Sequence, residues 1–151
     1  MSSSDHDIHV LNSLIKTTLD SQKGFLDAAG SADSTHFAPY FAEFAKDRSQ
    51  VVVALQKVVS RLGGKPEEEG SFIGTAHRTF MNLKEKFTSY DDKAIVDEVE
   101  RGEDYIKEKF EEAIADTYLS PEARAVIQTA FASVRTGHDR VSKLKHSLEL
   151  N

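Results

Sequence analysis

Apolar residues recur at intervals of three and four along most of this 151-residue chain, and that spacing is typical of amphipathic helices. The pattern predicts four long helices, with one short helix between the second and the third of them. Their expected bounds are about Asp5–Gly30, Ser34 or Thr35 to Leu62, Phe72–Phe87, Asp91–Tyr118 and Pro121–Leu148.

Each helix carries its apolar residues on one side, so the helices are expected to pack around a common core. The stripe of the first helix consists of Ile8, Leu11, Leu14, Ile15, Phe25, Leu26 and Ala29. The stripe of the third long helix consists of Ile95, Val99, Ile106, Phe110 and Ala113.

Glycine, serine and proline mark the ends of these helices. Gly30 is expected to end the first helix and Gly63-Gly64 the second, while Ser120 caps the last helix and Pro121 begins it. The long helices therefore form two hairpins joined by a long crossover. The sequence predicts an all-α fold and, among the bundles that this pattern permits, a ferritin-like up-down four-helix bundle with an additional short helix in the crossover.

Length and composition are those of one ordinary domain over residues 1–151, with Met1–Ser4 as a disordered tail. Hydrophobic residues make up 39% of the chain and charged residues 29%, a balance that argues against disorder. No apolar run reaches the roughly 18–20 residues that cross a membrane. The absence of cysteine excludes disulfides and thiolate metal sites, and it suits a reducing compartment, so we expect a cytoplasmic protein.

Charge is distributed unevenly along the chain. The net charge is −6, and eleven acidic but only four basic residues fall between Asp91 and Asp116. We interpret this acidic run as the solvated face of a helix. Nucleic-acid binding needs a basic stripe, which the sequence lacks, so we predict no nucleic-acid partner.

Three ionisable residues interrupt three different apolar stripes near the middle of long helices. These residues are Arg48, Glu103 and His138, and Thr18 and Gln22 hold the corresponding level of the first helix. A charge inside a core is costly unless it is paired, hydrogen-bonded or bound to a metal ion. If the helices pack antiparallel, these mid-helix levels meet, and the five residues form one buried polar cluster.

This cluster permits three interpretations. In the first, Arg48 forms a buried ion pair with Glu103, and His138 hydrogen-bonds into the same network. In the second, Glu103 and His138 bind a metal ion, although a di-iron carboxylate site also needs two E-x-x-H pairs, which this sequence lacks. In the third, the bundle carries a small ligand in an apolar cavity near Thr18 and Gln22. The residue types favour the ion pair.

A second polar cluster is expected on the other side of the first helix. Asp20 faces away from the apolar stripe, and the short helix could cover that face and pair Asp20 with His77 or Arg78. The broad apolar face at Val51–Val59 permits a homodimer, while any other protein partner is unidentified. The sequence contains no glycine-rich phosphate loop or nucleophile elbow.

A set of short motifs, in this order and spacing, carries a resemblance to a known family. The motifs are Leu11-Asn12-Ser13-Leu14-Ile15, Asp20, Gly24-Phe25, Asp47-Arg48 with Leu55, Gly63-Gly64-Lys65-Pro66, Gly70-Ser71, His77-Arg78, Glu100-Arg101-Gly102-Glu103-Asp104 and His138-Asp139. With them the chain resembles bacterial ferritin-like four-helix-bundle proteins known as a domain of unknown function and distantly related to rubrerythrin-type proteins. The resemblance implies a ferritin-like fold and a link to iron.

Position by position, the resemblance also implies that the iron site has been lost. Where a rubrerythrin-type second helix carries E-x-x-H, this chain has Arg48-Ser49-Gln50-Val51, and the last helix offers only His138. The glutamate position of the first helix falls near Thr18 or Gln22, so only Glu103 keeps the expected carboxylate. We therefore expect a non-catalytic interaction or stress-associated protein without a cofactor. The alternative is a di-iron oxidase or iron-handling protein with an atypical site.

Overall fold

Four α-helices make up most of the computed structural model, which describes residues 3–31, 38–70 and 92–150. The helices are α1 (Ser3–Ser31), α2 (Ala38–Arg61), α3 (Asp92–Ile114) and α4 (Pro121–Leu150). No strand occurs within the described ranges. The prediction of an all-α four-helix bundle is confirmed, while the short helix predicted at Phe72–Phe87 lies outside the described residues.

The helices pack in the cyclic order α1, α2, α4, α3, so that α1 and α4 face each other across one diagonal and α2 and α3 across the other. Two apolar clusters fill the bundle. One joins the first half of α1 and α4 to the second half of α2 and α3, and the other joins the opposite halves. Helices α1 and α4 therefore run one way, and α2 and α3 run the other way.

This arrangement forces the connection between α2 and α3 to travel the length of the bundle. Its first, described part follows α1, because Gly64 lies against the side chain of Ile8 and Gly70 lies against Asp20. The chain thus leaves the end of α2 and passes along the outside of the first hairpin before it continues into residues that the structure does not describe.

Helix α2 ends in the turn that its glycine pair predicts. Gly63 adopts a φ of 86°, its N–H donates to the Ser60 carbonyl (3.0 Å), and the Gly64 N–H donates to the Val59 carbonyl (2.9 Å). These two bonds form a Schellman motif, which satisfies carbonyls that the helix end leaves without partners. The prediction that Gly63-Gly64 ends the helix is confirmed.

Two predicted element ends need correction. Helix α3 ends at Ile114 rather than Tyr118, because the Arg124 guanidinium on α4 donates to the carbonyls of Ile114 and Asp116, the latter at 2.5 Å, and fixes the turn there. Helix α1 begins at Ser3, so Ser3 and Ser4, which were expected in a disordered tail, belong to the helix. Within the described ranges, no helix combines the length and hydrophobicity that crossing a bilayer requires.

Candidate functional site

Arg48 lies on the inward face of α2, in the middle of the helix. It follows Phe44 by four residues and precedes Val51 by three, and both of these side chains are buried. Helical periodicity therefore directs Arg48 into the core as well. Its side chain is only 1% exposed, which places a permanent positive charge in the centre of the bundle.

The partner of Arg48 is Glu103, as the first interpretation of the sequence requires. The Nη2 atom of Arg48 donates to Oε2 of Glu103 at 2.7 Å, and the Glu103 side chain is 2% exposed. Glu103 projects from α3, which lies across the diagonal from α2. The charge-assisted hydrogen bond therefore crosses the centre of the bundle and joins one helical hairpin to the other.

Arg48 also contacts the two remaining helices. Its guanidinium carbon lies 5.4 Å from the centre of the Phe25 ring on α1, a cation–π distance. Its Nη2 atom lies 3.5 Å from the Val134 carbonyl on α4. A Cβ atom at Gly137 would lie 2.5 Å from the same nitrogen, so the absence of a side chain at Gly137 makes room for the guanidinium.

The contacts between Arg48 and Glu103 do not fully offset the cost of burying their charges. Burial raises the pKa of the Glu103 carboxyl above its usual range, and the positive charge of Arg48 only partly opposes this shift. The other terminal nitrogen of Arg48, Nη1, is buried and has no hydrogen-bond partner within the described part of the chain. The pair is thus desolvated, and some of its hydrogen-bonding capacity is unused.

The structure corrects the prediction that His138 joins this network. The Nε2 atom of His138 lies 2.6 Å from Oδ1 of Asp104, and its Nδ1 atom lies 3.6 Å from Oδ1 of Asp139. Its side chain is 15% exposed, whereas those two carboxylates are mostly in solvent. Arg48 and Glu103 already fill the centre, so the imidazole bonds to a neighbouring carboxylate that remains hydrated.

The first helix contributes to the site differently from the prediction. Thr18 is fully buried, but its hydroxyl donates to the Leu14 carbonyl of its own helix (2.7 Å). Gln22 is only half-buried. The contact from α1 is made instead by the ring of Phe25. The central polar site therefore consists of Arg48 and Glu103 rather than five residues.

The second predicted cluster can be placed only in part. Asp20 is half-buried and lies against Gly70, where a Cβ atom would collide with its carboxylate. His77 and Arg78 lie outside the described residues, so their pairing with Asp20 stays a prediction.

Sequence reasoning missed a buried acid at one end of the bundle. Asp7 is 1% exposed, and its Oδ1 atom accepts the N–H of Ser120 at 3.0 Å. The Ser120 hydroxyl in turn accepts the N–H of Ala123 (3.2 Å), which confirms the predicted cap of α4. Asp7 precedes Leu11 by four residues, so the helical spacing of α1 contained the signal that it faces inward.

A second polar contact lies at the same end of the bundle. Nε2 of His6 lies 2.8 Å from Oδ2 of Asp116, which ties α1 to the turn between α3 and α4. The pKa of Asp116 lies below its usual range, first because the Tyr118 N–H donates to this carboxylate and second because His6 bonds to it. The contact links distant parts of the chain at the surface.

Within the described residues, no group of three or more histidine, aspartate or glutamate side chains is arranged to hold a metal ion. At the centre of the bundle, the guanidinium of Arg48 lies against the Glu103 carboxylate and would repel a cation. The described donors therefore do not fit a di-iron site.

Comparison with known proteins identifies a matching family. A family model described as "Domain of unknown function (DUF2383)" matches residues 6–116, a stretch that includes both Arg48 and Glu103. No curated protein matches the chain.

Proposed function

Because this chain belongs to the family described as "Domain of unknown function (DUF2383)", whose description assigns no activity, we propose a role from the structure itself. The chain is a ferritin-like bundle without catalytic function, and it acts in the cytoplasm by binding other proteins. Its interior, in this proposal, is a structural core rather than a reaction site.

The helix arrangement supports the ferritin-like part of this proposal. Two antiparallel hairpins pack so that the diagonal helices run parallel, and the connection between the hairpins travels the length of the bundle. One long crossover between two hairpins is the connectivity of ferritin-like folds.

The observation that carries the proposal is the occupant of the bundle centre. A ferritin-like di-iron site uses a glutamate from each of two helices and an E-x-x-H pair from each of the others. Here the Arg48 guanidinium donates to the Glu103 carboxylate at 2.7 Å, and both side chains are almost completely buried. Arg48 thus supplies the positive charge that Glu103 needs, and it occupies the place of a metal ion.

Metal analysis of the full chain tests this proposal. The protein is produced in iron-supplemented medium, purified without a chelating tag and analysed for iron, manganese and zinc per chain. We expect far less than one metal ion per chain, with no difference between the wild type and Glu103→Gln. Glu112→Gln is the matched control, because Glu112 is exposed on the same helix.

A content of about one iron or more per chain that is lost in Glu103→Gln would overturn the proposal. It would favour the alternative, a metal-binding ferritin-like protein with an atypical site.

A further inference from the structure

The chain holds part of its own connecting segment against the outer face of α1 and α2. We call residues 64–70 the strap. Its ends lie against Ile8 and Asp20, which are separated by about 18 Å of helix at roughly 1.5 Å per residue. The six residue steps of the strap cover that distance, so each advances about 3 Å, close to the limit of an extended chain. The strap is therefore an extended peptide lying on two helices.

Two side-chain amides hold the main chain of the strap. Asn12 on α1 donates from Nδ2 to the Lys65 carbonyl (3.0 Å) and accepts the N–H of Glu67 at Oδ1 (2.9 Å). Gln56 on α2 donates from Nε2 to the Glu67 carbonyl (2.9 Å). A side-chain amide offers a donor and an acceptor together, as a neighbouring strand would, and such contacts recognise any extended main chain.

Charge adds a preference for acidic residues. The strap carries three consecutive glutamates after Pro66. Nζ of Lys16 lies 3.7 Å from Oε1 of Glu67, and Lys57 lines the same cavity as Glu68. Lysines from both helices thus face the acidic part of the strap.

The outer face of α1 and α2 extends beyond the part that the strap covers. An open cavity of about 360 Å³ lies beside Pro66, and α2 lines it with Val53, Gln56, Lys57 and Ser60. The Val53 side chain on its wall is 48% exposed. No residue of the strap is buried, and none belongs to either apolar cluster. The strap is held mainly by hydrogen bonds and a surface ion pair, with Gly64 in contact with Ile8, so its release requires less free energy than unfolding of the bundle.

We propose that the outer face of α1 and α2 around Asn12 and Gln56 is a binding surface for an extended acidic peptide in which glutamates follow a proline. The strap occupies this surface in cis as an internal ligand, and a partner segment of the same chemistry displaces it. This inference rests on the proposed interaction role and names the class of partner.

The test uses the full chain with residues 65–69 replaced by a glycine–serine run of equal length. This run lacks the proline and the three glutamates and loses more conformational entropy when it is ordered, so it occupies the surface more weakly than the strap does. The probe is a fluorescently labelled synthetic peptide with the sequence of residues 64–70, and binding is followed by fluorescence anisotropy. We expect the peptide to bind the strap-replaced protein at least about tenfold more tightly than the wild type, where the strap competes. A peptide N-methylated at the position of Glu67 lacks the donated N–H and should bind several-fold more weakly.

Point variants assign the binding to the proposed surface. In the strap-replaced protein, Gln56→Ala removes one main-chain hydrogen bond and should weaken peptide binding about threefold to tenfold. Gln50→Ala is the matched control, because Gln50 is an exposed glutamine on the same helix, and it should leave binding unchanged. Equal effects of the two substitutions would overturn the assignment.

A folded strap-replaced protein that shows no peptide binding up to about 1 mM would overturn the proposal. If that protein does not fold, hydrogen exchange in the wild type decides. Exchange of the Glu67 amide much faster than that of core α2 amides supports a releasable strap, and equally slow exchange contradicts it. Neither failure affects the metal analysis, which tests the interior separately.

Discussion

Arg48 makes one strong contact and several weaker ones, and this difference determines what the residue contributes. Its hydrogen bond to Glu103 is short and charge-assisted, whereas its Nη1 atom has no partner among the described residues. Desolvating two charges costs several kcal/mol per ion, and a single hydrogen bond does not fully offset that cost. The pair therefore specifies which helices meet more than it adds to the stability of the fold.

Gly137 tests how tightly the guanidinium is held. In most helix interiors, Gly→Ala is stabilising, but here a Cβ atom would lie 2.5 Å from Arg48 Nη2. We expect Gly137→Ala to lower the free energy of unfolding by about 1–3 kcal/mol, measured by urea denaturation, because Arg48 cannot move without losing Glu103. In the control Gly102→Ala, the new Cβ has nothing within 4 Å, so a gain of about 0.4–1 kcal/mol is expected. Similar gains in both variants would show that Arg48 moves freely.

Because of Glu103, the stability of the folded protein is expected to fall as the pH rises. Burial raises its pKa above the ordinary value of 4.5, so the folded protein retains the proton at a pH where the unfolded chain has lost it. The ionised carboxylate therefore lowers stability above the folded-state pKa. This penalty is removed as the pH falls through the folded-state pKa towards that of the unfolded chain.

We expect the wild type to gain stability relative to Glu103→Gln as the pH is lowered from about 7 towards 4.5, in urea unfolding at each pH. Glu112→Gln, which alters an exposed carboxylate on the same helix, should follow the wild type. A difference between wild type and Glu103→Gln that stays constant with pH would contradict the raised pKa.

At the scale of the helices, the spacing of apolar residues predicted most of the side chains that are buried in the core. All five stripe residues of α3 are buried. In α1, however, Leu26 is 53% exposed although the pattern placed it in the core, while Ala28 is fully buried. A helical wheel gives the direction of a side chain but not the width of the surface that a neighbouring helix covers, so residues at the edge of a stripe are the ones misplaced.

The ends of the helices divide into predictable and unpredictable cases. Gly63 acts within its own turn, so the sequence alone indicated where α2 ends. The end of α3 depends on Arg124, which reaches back from the next helix to bind the last carbonyls. Contacts that come from another element cannot be derived from local sequence signals.

Gly63→Ala tests the local turn. At a φ of 86° an alanine is strained, and we expect a loss of about 1–2 kcal/mol in the free energy of unfolding, measured by urea denaturation. Gly30→Ala is the control, because a Cβ there meets nothing within 4 Å and Gly30 has no positive φ. A loss no larger than that of the control would show that the turn adapts to the side chain.

For the whole molecule, the sequence predicted which polar residues lie at mid-helix but not how they pair. Glu103 and Asp104 are adjacent, yet one points to Arg48 in the centre and the other to His138 near the surface. Pairing depends on which helices lie across the diagonal, and that is a property of the tertiary arrangement. The expected five-residue cluster was too large, because a helical wheel cannot show that Arg48 and Glu103 together fill the centre.

The ion pair between Arg48 and Glu103 links the two hairpins of the bundle, and substitutions can test this link. Arg48 belongs to the first hairpin and Glu103 to the second, so their bond couples the two halves of the molecule. Glu103→Leu leaves a guanidinium buried without its carboxylate and should lower the free energy of unfolding by about 3–5 kcal/mol. Arg48→Met should cost less, because protonation can neutralise the remaining carboxyl group.

A double-mutant cycle in urea at neutral pH tests the claim that these two residues act as one structural pair. We predict that Arg48→Met/Glu103→Leu recovers to within about 1 kcal/mol of the wild type, because two apolar side chains of similar volume replace the charges together. If the losses of the two single variants simply add in the double variant, the residues are not coupled and the account is wrong.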